Sequence, residues 1–421
     1  MDSRSFVRRN VRPLTGIEPE ELLLALAIEV LEKADREHPA DRVLRDVLHR
    51  ESHLSQAGAA RVSRWVFQYY RWRGWLKNER GLLRKIRKAE ELARRFEKNP
   101  FSLRAESLRA KAVPAWVFEV MQVDDAWLRA LQREPLLYIR VRLGHERRLM
   151  QSLGQLRKTR LPQAYIYEGR RDLFRTREFA EGLFEIQDIS SQLVSHLCAP
   201  RPGELWWDAC AGEGGKTLHL ADLMQGRGQV WATDTAAWRL EKLRRRAARA
   251  QIFNYQAALW DGGPQRPVEV LFDGVLVDAP CSGLGTWLRN PHARWTTRIE
   301  DVYELAQLQA RLLDHVAPAV KPGGRLFYSV CTLTRPETVH VVTNFQAAHP
   351  EFEPLPFSSP WSGIPQVASP TLLLGPQDTQ GNGMFIAAWR KRLEPASPAM
   401  PPSQLDRNKS SEATEAPSSH I

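Results

Sequence analysis

The chain reads as a multidomain protein with three folded parts: an all-α bundle, a small α+β module, and an α/β domain built on a doubly wound sheet. Three observations predict this. Apolar residues recur every three or four positions through the first hundred residues, the period of amphipathic helices. After Pro135 the texture shifts to Leu136-Leu137-Tyr138-Ile139-Arg140-Val141-Arg142, which alternates and is rich in β-formers. From Glu204 onward strand-like and helix-like segments alternate, as in a parallel sheet covered on both faces. At 421 residues the chain is also too long for one small domain, for which about 100–200 residues is usual.

The helical part starts with Thr15 and Glu18, spaced as a capping box, and Pro19 ahead of the run Leu22, Leu23, Leu24, Ala27, Ile28, Leu31. Val43, Leu44, Val47 and Leu48 form a second stripe, and Val62, Trp65, Val66, Tyr69 and Trp72 a third. Basic residues fill the gaps: Arg61, Arg64, Arg71, Arg73, Lys77, Arg80, Arg84, Lys85, Arg87 and Lys88. The pattern predicts a bundle with a basic outer face, its aromatic stripe Trp65, Tyr69, Trp72 serving as core. Residues 100–135 read as connecting helices broken at Pro114. The strand after Pro135, a helix from His145 to Leu156 and the strand Ala164-Tyr165-Ile166-Tyr167 make the small α+β module.

In the third part, strand Leu205-Trp206-Trp207 runs into a glycine-rich turn and a helix from Lys216 to Met224. Strand Gln229 to Thr233 leads to an Arg-rich helix, Trp238 to Ala250. A third strand, Phe272 to Val277, ends at Asp278. Helix Ile299 to Val320, Gly323-Gly324 and strand Arg325 to Val330 complete the series. Expected boundaries are residues 1–100, 101–185 and 186–393, followed by a Pro/Ser-rich tail, 394–421, expected to be disordered.

Composition narrows the function. Hydrophobic residues at 43% and charged ones at 26% exclude a wholly disordered or fibrous chain. The net charge of +11 lies entirely in residues 1–200, which carry 38 basic against 27 acidic side chains; residues 51–100 alone hold 13 against 5. Such segregation points to a polyanion-binding half joined to a neutral half. The four cysteines, Cys198, Cys210, Cys281 and Cys331, include no CxxC pair, so neither a disulfide framework nor a zinc site is expected. The sequence shows no secretion signal and no run of membrane-spanning length. A reducing cytoplasm is the expected compartment, where free thiols can do chemistry.

The turn Asp208-Ala209-Cys210-Ala211-Gly212-Glu213-Gly214-Gly215-Lys216-Thr217 sits between strand and helix, where glycines let a ligand approach the backbone. Asp234 ends the next strand, a usual place for a carboxylate on ribose hydroxyls. A phosphate loop is excluded because glycine is required where Cys210 stands. A nicotinamide site, or a turn that binds nothing, remains open for this loop taken alone. The strand ends decide between them. Asp278-Ala279-Pro280-Cys281-Ser282-Gly283 follows one strand and Ser329-Val330-Cys331-Thr332 ends another. Ligands bind at the carboxyl ends of such strands, so two thiols and a carboxylate are expected to face one pocket.

With these motifs the chain resembles, from about residue 40 to 391, the RsmB/Nop (Sun/Fmu) family of S-adenosylmethionine-dependent RNA cytosine-5 methyltransferases. Gln187 to Gln192 is similar to the family's lead-in, Asp208 to Thr217 to its cofactor loop, Asp278 to Thr286 to its Asp-Ala-Pro-Cys motif, and Ser329 to Thr332 to its nucleophile motif. Asn290-Pro291 with Arg294-Trp295, Lys321 to Gly324, and Asn382 to Phe385 also match. Residues 40–76 resemble the NusB-like domain of the branch that modifies small-subunit ribosomal RNA. The resemblance implies a NusB-like bundle, an RRM-like module and a Rossmann-like methyltransferase domain.

It also implies roles. Cytosine carbon 5 is a poor nucleophile, so a thiolate, here Cys331, adds to carbon 6 first. Cys281 helps release the enzyme afterwards. Asp278 binds the base edge and, if protonated by its buried site, stabilises charge at the ring nitrogen. Asp208, Cys210, Ala211, Gly212, Glu213, Gly214, Gly215, Lys216, Asp234, Arg239, Asp261 and Asp278 would surround S-adenosylmethionine: Asp234 holds the ribose, Asp261 the adenine amine, and the 212–215 backbone the methionine end. Lys216 helps place substrate or cofactor, and no metal is implied. The expected partner is RNA, 16S ribosomal RNA first, bound by a monomer without membrane contact. Transfer RNA or large-subunit RNA as substrate, or a non-catalytic RNA-binding assembly factor, are the alternatives. The chain departs from the family at Glu213, usually proline; at Val330, usually threonine; at His292, often acidic; and at Thr338-Val339, usually Glu-Asn.

Overall fold

The computed structural model describes residues 18–357 and 369–393; Thr15 and the tail from residue 394 lie outside the described residues. Helices α1 (Glu20–Lys33), α2 (Ala40–Arg50), α3 (Gln56–Trp72) and α4 (Leu82–Lys98) form the N-terminal bundle. Their apolar stripes close on one another through Leu24, Ala27, Val30, Val43, Val47 and Trp65. The aromatic stripe is core: Trp65 and Trp72 are buried and Tyr69 half-buried. Glu18 does not cap α1. Its carboxylate accepts from the Ser55 amide at 2.5 Å and hydroxyl at 3.0 Å, at the start of α3, while α1 begins directly after Pro19 with no side-chain cap. Arg71 departs from the expected outer face. It is buried, donates to the Leu288 carbonyl at 3.2 Å, and burial pushes its guanidinium down to about 10.

Helices α5 (Ala105–Lys111), α6 (Val117–Val120) and α7 (Asp125–Ala130) follow, with Pro114 ahead of α6. They share a core with Trp72 and Phe96 of the bundle and with Leu284, Trp287 and Leu333 of the C-terminal domain. The helical region therefore packs directly on the loops that follow two strands of that domain.

The small module comprises β1 (Tyr138–Val141), α8 (Glu146–Ser152), β2 (Leu156–Lys158), β3 (Ala164–Tyr167), the single turn α9 (Arg177–Ala180) and β4 (Phe184–Ile186). Its strands lie in the order β2-β3-β1-β4, every pair antiparallel. Helix α8 stops at Ser152 rather than Leu156, because Gly154 and Gln155 adopt positive φ (63° and 48°) and turn the chain into β2.

The C-terminal domain contains α10 (Ile189–Cys198), β5 (Leu205–Asp208), α11 (Gly215–Leu223), β6 (Gln229–Asp234), α12 (Ala237–Arg249), β7 (Tyr255–Leu259), β8 (Phe272–Asp278), the turn α13 (Ala293–Thr296), α14 (Ile299–Val316), β9 (Val320–Val330), α15 (Val339–Ala348), β10 (Phe352–Pro354), β11 (Thr371–Leu374) and β12 (Met384–Lys391). Strands β7-β6-β5-β8-β9 are parallel; β12 runs antiparallel to β9 and carries β10 and β11 on its outer edge. Phe272 to Asp278, expected as the third strand of the sheet, is the fourth, because the half-exposed edge strand β7 intervenes. Helix α14 ends at Val316 instead of Val320: Pro318 in the 3-10 turn behind it cannot donate to a continuing helix. Two apolar layers, one on each face of the sheet, include Trp206, Leu218 and Phe327 on one side and Trp207, Leu313 and Tyr328 on the other.

Charges tie the parts together. Glu185 of β4 is buried between Arg246, at 2.9 Å, and Arg249 of α12. Burial opposes its charge, but the two guanidiniums outweigh it and hold the carboxyl below its usual value. Arg294 of α13 is fully buried without a carboxylate partner. It donates to four carbonyls, Arg71 (3.3 Å), Ala112 (3.1 Å), Leu131 (2.9 Å) and Trp287 (3.3 Å), and so joins the bundle, the connecting helices and the C-terminal domain. Replacing it leaves those acceptors dry and unpaired. Arg294→Ala is expected to lower unfolding stability by on the order of 3 kcal/mol, read by urea titration; a loss below about 1 kcal/mol would contradict the stapling role.

Candidate active site

The carboxyl ends of β5, β6, β8 and β9 deliver Asp208, Asp234, Asp278 and Cys331 to one edge of the sheet. Strand order reverses beside β5, which leads to β6 on one side and adjoins β8 on the other, and the crevice at such a reversal is where ligands bind. Asp208 is fully buried. One of its oxygens accepts from the Thr217 hydroxyl at 2.7 Å; the other has no partner among the described residues. Burial pushes its carboxyl up to about 7, against the Thr217 hydrogen bond.

The loop that follows is fixed by contacts on both sides. The Gly212 amide donates to Asp234 at 3.0 Å, and the other Asp234 oxygen accepts from the Ala236 amide at 2.9 Å. Gly214 has φ +85°, and a Cβ there would lie 2.5 Å from Leu243, so only glycine fits. Gln187 supports the loop from beneath, donating to the Gly215 carbonyl at 3.3 Å while accepting from Arg140 at 2.8 Å. Glu213 is turned toward α12: its carboxylate meets Lys242 at 2.6 Å and its carbonyl accepts from Arg246 at 2.8 Å. The departure from proline thus adds a charge that is paired outside the loop. Arg239 lies 3.6 Å from Asp234, and Asp261, beyond β7, is exposed with one oxygen on the Gly263 amide.

The reactive groups lie close together. The sulfurs of Cys281 and Cys331 are 3.3 Å apart. The hydrogen bond to Cys331 and then burial hold the Cys281 thiol well above the usual range, so Cys281 keeps its proton. Cys210 and Cys198 are likewise pushed up by burial, which leaves neither suited to act as a thiolate. Asp278 accepts from Lys216 at 2.5 Å and from the Ser329 hydroxyl at 2.7 Å. Its side chain is 29% exposed and faces Lys216 at the edge of the pocket. Burial would lower the Lys216 pKa, but Asp278 outweighs it, and Cys331 adds to the upward shift. The Gly285 amide donates to the Cys331 carbonyl at 3.0 Å, and a Cβ on Gly285 would come within 2.4 Å of the Gly383 carbonyl. The segment before β12 therefore presses on the backbone that carries the nucleophile candidate.

Three supports were not visible as site residues in the sequence. Thr217 on Asp208 and Ser329 on Asp278 depend on strand register, and buried Glu337, six residues past Cys331 in the Pro336-Glu337 pair that matches the family, carries no sign in the sequence of what it holds. Two family departures meet the helical bundle or the core instead of the pocket: buried His292 packs edge-on against Tyr70 at 4.6 Å, and Val330 is core.

This fold and site define an α/β methyltransferase domain behind a helical region. A methyltransferase homolog protein from Pyrococcus horikoshii superimposes with a TM-score of 0.53 at 27% identity, over 63% of this chain and 90% of that one. The crystal structure of the protein PH0851 superimposes at 0.74 and 25% identity, over 89% of this chain and 99% of that one. Residues 195–390 match the family model described as 16S rRNA methyltransferase RsmB/F. A probable ribosomal RNA small subunit methyltransferase B of Synechocystis sp. is 34% identical over 341 residues, 76% of this chain and 75% of its own length. The chain belongs to the Sun/RsmB family of RNA methyltransferases, whose methyl donor is S-adenosylmethionine.

The loop fits that donor. Asp208 offers an unpartnered buried oxygen, a Cβ on Gly212 would meet nothing within 4 Å, and Asp234 closes the side. A cationic donor favours ionised Asp208, so affinity is expected to rise as pH passes upward through about 7 and to level off above it, by up to about tenfold between pH 6 and 8. Titration calorimetry at these pH values tests this. Asp208→Asn should flatten the profile, and equal wild-type affinities at pH 6 and 8 would contradict it.

Proposed function

We propose that this protein transfers a methyl group from S-adenosylmethionine to carbon 5 of a cytosine in small-subunit ribosomal RNA, through a covalent adduct between Cys331 and carbon 6. The observation that carries this reading is the 3.3 Å approach of two thiols beside the Lys216–Asp278 pair, at the mouth of the donor loop. Bound S-adenosylmethionine supplies a sulfonium methyl, the electrophile for carbon 5.

The chain's own residues do the rest. The Cys331 sulfur, its proton released to solvent, bonds to carbon 6, and the electrons of the 5,6 double bond move toward carbon 5 and the ring. Asp278 accepts from the base's exocyclic amine, and the Lys216 ammonium opposes the charge that grows on the ring. Once carbon 5 is methylated, water takes its proton, the electrons of that carbon–hydrogen bond re-form the double bond, and the carbon–sulfur bond breaks to leave Cys331 as the thiolate. Cys281, protonated and in contact with the departing sulfur, donates a hydrogen bond to it. Asp208, the backbone of residues 212–215 and, at the end of β6, Asp234 hold the donor, with Arg239 beside Asp234 and Asp261 at the adenine side. Cys210, Ala211 and Glu213 supply backbone.

RNA is gripped by the first half of the chain. We read residues 1–100 as the NusB-like domain, 101–185 as connecting helices with the RRM-like module, and 186–393 as the methyltransferase domain. The split βαβ strand order β2-β3-β1-β4 supports the RRM-like reading. The basic excess in residues 51–100 supports phosphate binding. A target base in a structured RNA must leave its stack to reach these half-buried sulfurs.

The test is labelled S-adenosylmethionine with unmodified 16S RNA. Methyl transfer to cytosine carbon 5 is expected, falling by roughly a thousandfold or more in Cys331→Ala. Transfer to another base, or transfer undiminished in that variant, would overturn the reading.

A further inference from the structure

Glu337 is fully buried, and no Lys, Arg or His among the described residues forms an ion pair with it. Such a carboxylate is costly unless hydrogen bonds surround it. Here they do. One oxygen accepts from the Ser282 amide at 2.8 Å and from Gln309 at 3.1 Å. The other accepts from Thr332 at 3.1 Å, Thr334 at 2.8 Å and the Ser282 hydroxyl.

Two of these donors are informative. Ser282 is the residue after Cys281, and Thr332 is the residue after Cys331. A single carboxylate thus grips the neighbour of each sulfur, and the two hydroxyls also meet each other at 3.0 Å. Gln309 is itself fixed by donating to the Pro280 carbonyl at 2.8 Å and by the Tyr328 hydroxyl at 2.9 Å. The clamp therefore spans both loops and α14.

The charge is placed unevenly. Glu337 adds to the forces that keep the Cys281 thiol protonated, after its hydrogen bond to Cys331 and its burial. The Lys216 ammonium, paired with Asp278 at 2.5 Å, interacts with Cys331 instead. Two chemically identical sulfurs in contact are thereby made inequivalent.

We propose that Glu337 is a positioning residue that holds the two cysteine loops in register and directs the shared proton to Cys281, so that Cys331 is the sulfur that attacks. This rests on the cytosine-5 reading for its consequence in turnover, but the inequivalence of the sulfurs can be read without any RNA.

The experiment labels the full-length protein briefly with iodoacetamide at pH 7.5 and assigns the modified cysteine by peptide mass. In wild type, Cys331 is expected to react on the order of ten times faster than Cys281. In the isosteric Glu337→Gln that preference should collapse to within about twofold. Turnover should fall on the order of 100-fold, while the dissociation constant for S-adenosylmethionine and the KM for RNA stay within about threefold of wild type. Glu337→Asp keeps the charge and shortens the reach, and should restore most of the preference for Cys331. It carries the test if the glutamine variant fails to bind S-adenosylmethionine. Unchanged selectivity in Glu337→Gln, or lost selectivity in a folded Glu337→Asp, would overturn the proposal. A wild-type protein that labels selectively yet transfers no methyl to cytosine would instead sink the functional reading and leave the inequivalence standing.

Discussion

Asp278 and Ser329 are partners in the register of two adjacent parallel strands, and the reactive groups depend on that pairing. Because β8 and β9 end at the same level, the loop after Asp278 and the loop after Val330 leave the sheet side by side. Cys281 is three residues beyond one partner and Cys331 two beyond the other. A slip of one position would turn Ser329 to the other face of the sheet, removing the hydroxyl from Asp278 and displacing Cys331. The apolar strands, buried on both faces, make such a slip costly, so packing far from the chemistry sets the distance between the sulfurs.

Around that register the molecule assembles charges in an order that makes chemical sense. Lys216 and Asp278 neutralise each other in the half-open pocket, Glu337 is solvated by hydroxyls and amides behind it, and Asp208 is left with an oxygen to spare. The helical region is part of this arrangement. Its core includes Leu284, Trp287 and Leu333, residues of the same loops that carry the cysteines, and Arg294 fastens the three regions through backbone carbonyls. The helical region and the loops that carry the cysteines therefore share one hydrophobic core.

Much of this was legible in the sequence, for physical reasons. The strands ending at Asp208, Asp234, Asp278 and Val330 are apolar enough to be read as buried, and the three carboxylates among their last residues mark the pocket edge. The glycine turn and the two Cys-containing loops follow directly. Less legible were segments with weak periodicity: β7 is a half-exposed Tyr-Gln-Ala-Ala-Leu edge, and β2 and β4 are three residues each. Buried charges misled most. Arg71 reads as a surface residue because a guanidinium is seldom buried, and only the fold shows the Leu288 carbonyl that receives it. Glu18 has the spacing of a cap but serves Ser55 instead, 37 positions away. Glu337 gathers donors from three separated segments, which no local pattern can announce.

The division of labour between the two sulfurs is the central claim, and one measurement reaches it directly. Full-length protein carrying Cys281→Ala is incubated with unmodified 16S RNA and S-adenosylmethionine, then resolved under denaturing conditions. A covalent protein–RNA complex is expected in this variant, none in Cys331→Ala, and none when both cysteines are replaced. A complex that accumulates in Cys331→Ala, or that survives in the double variant, would contradict it.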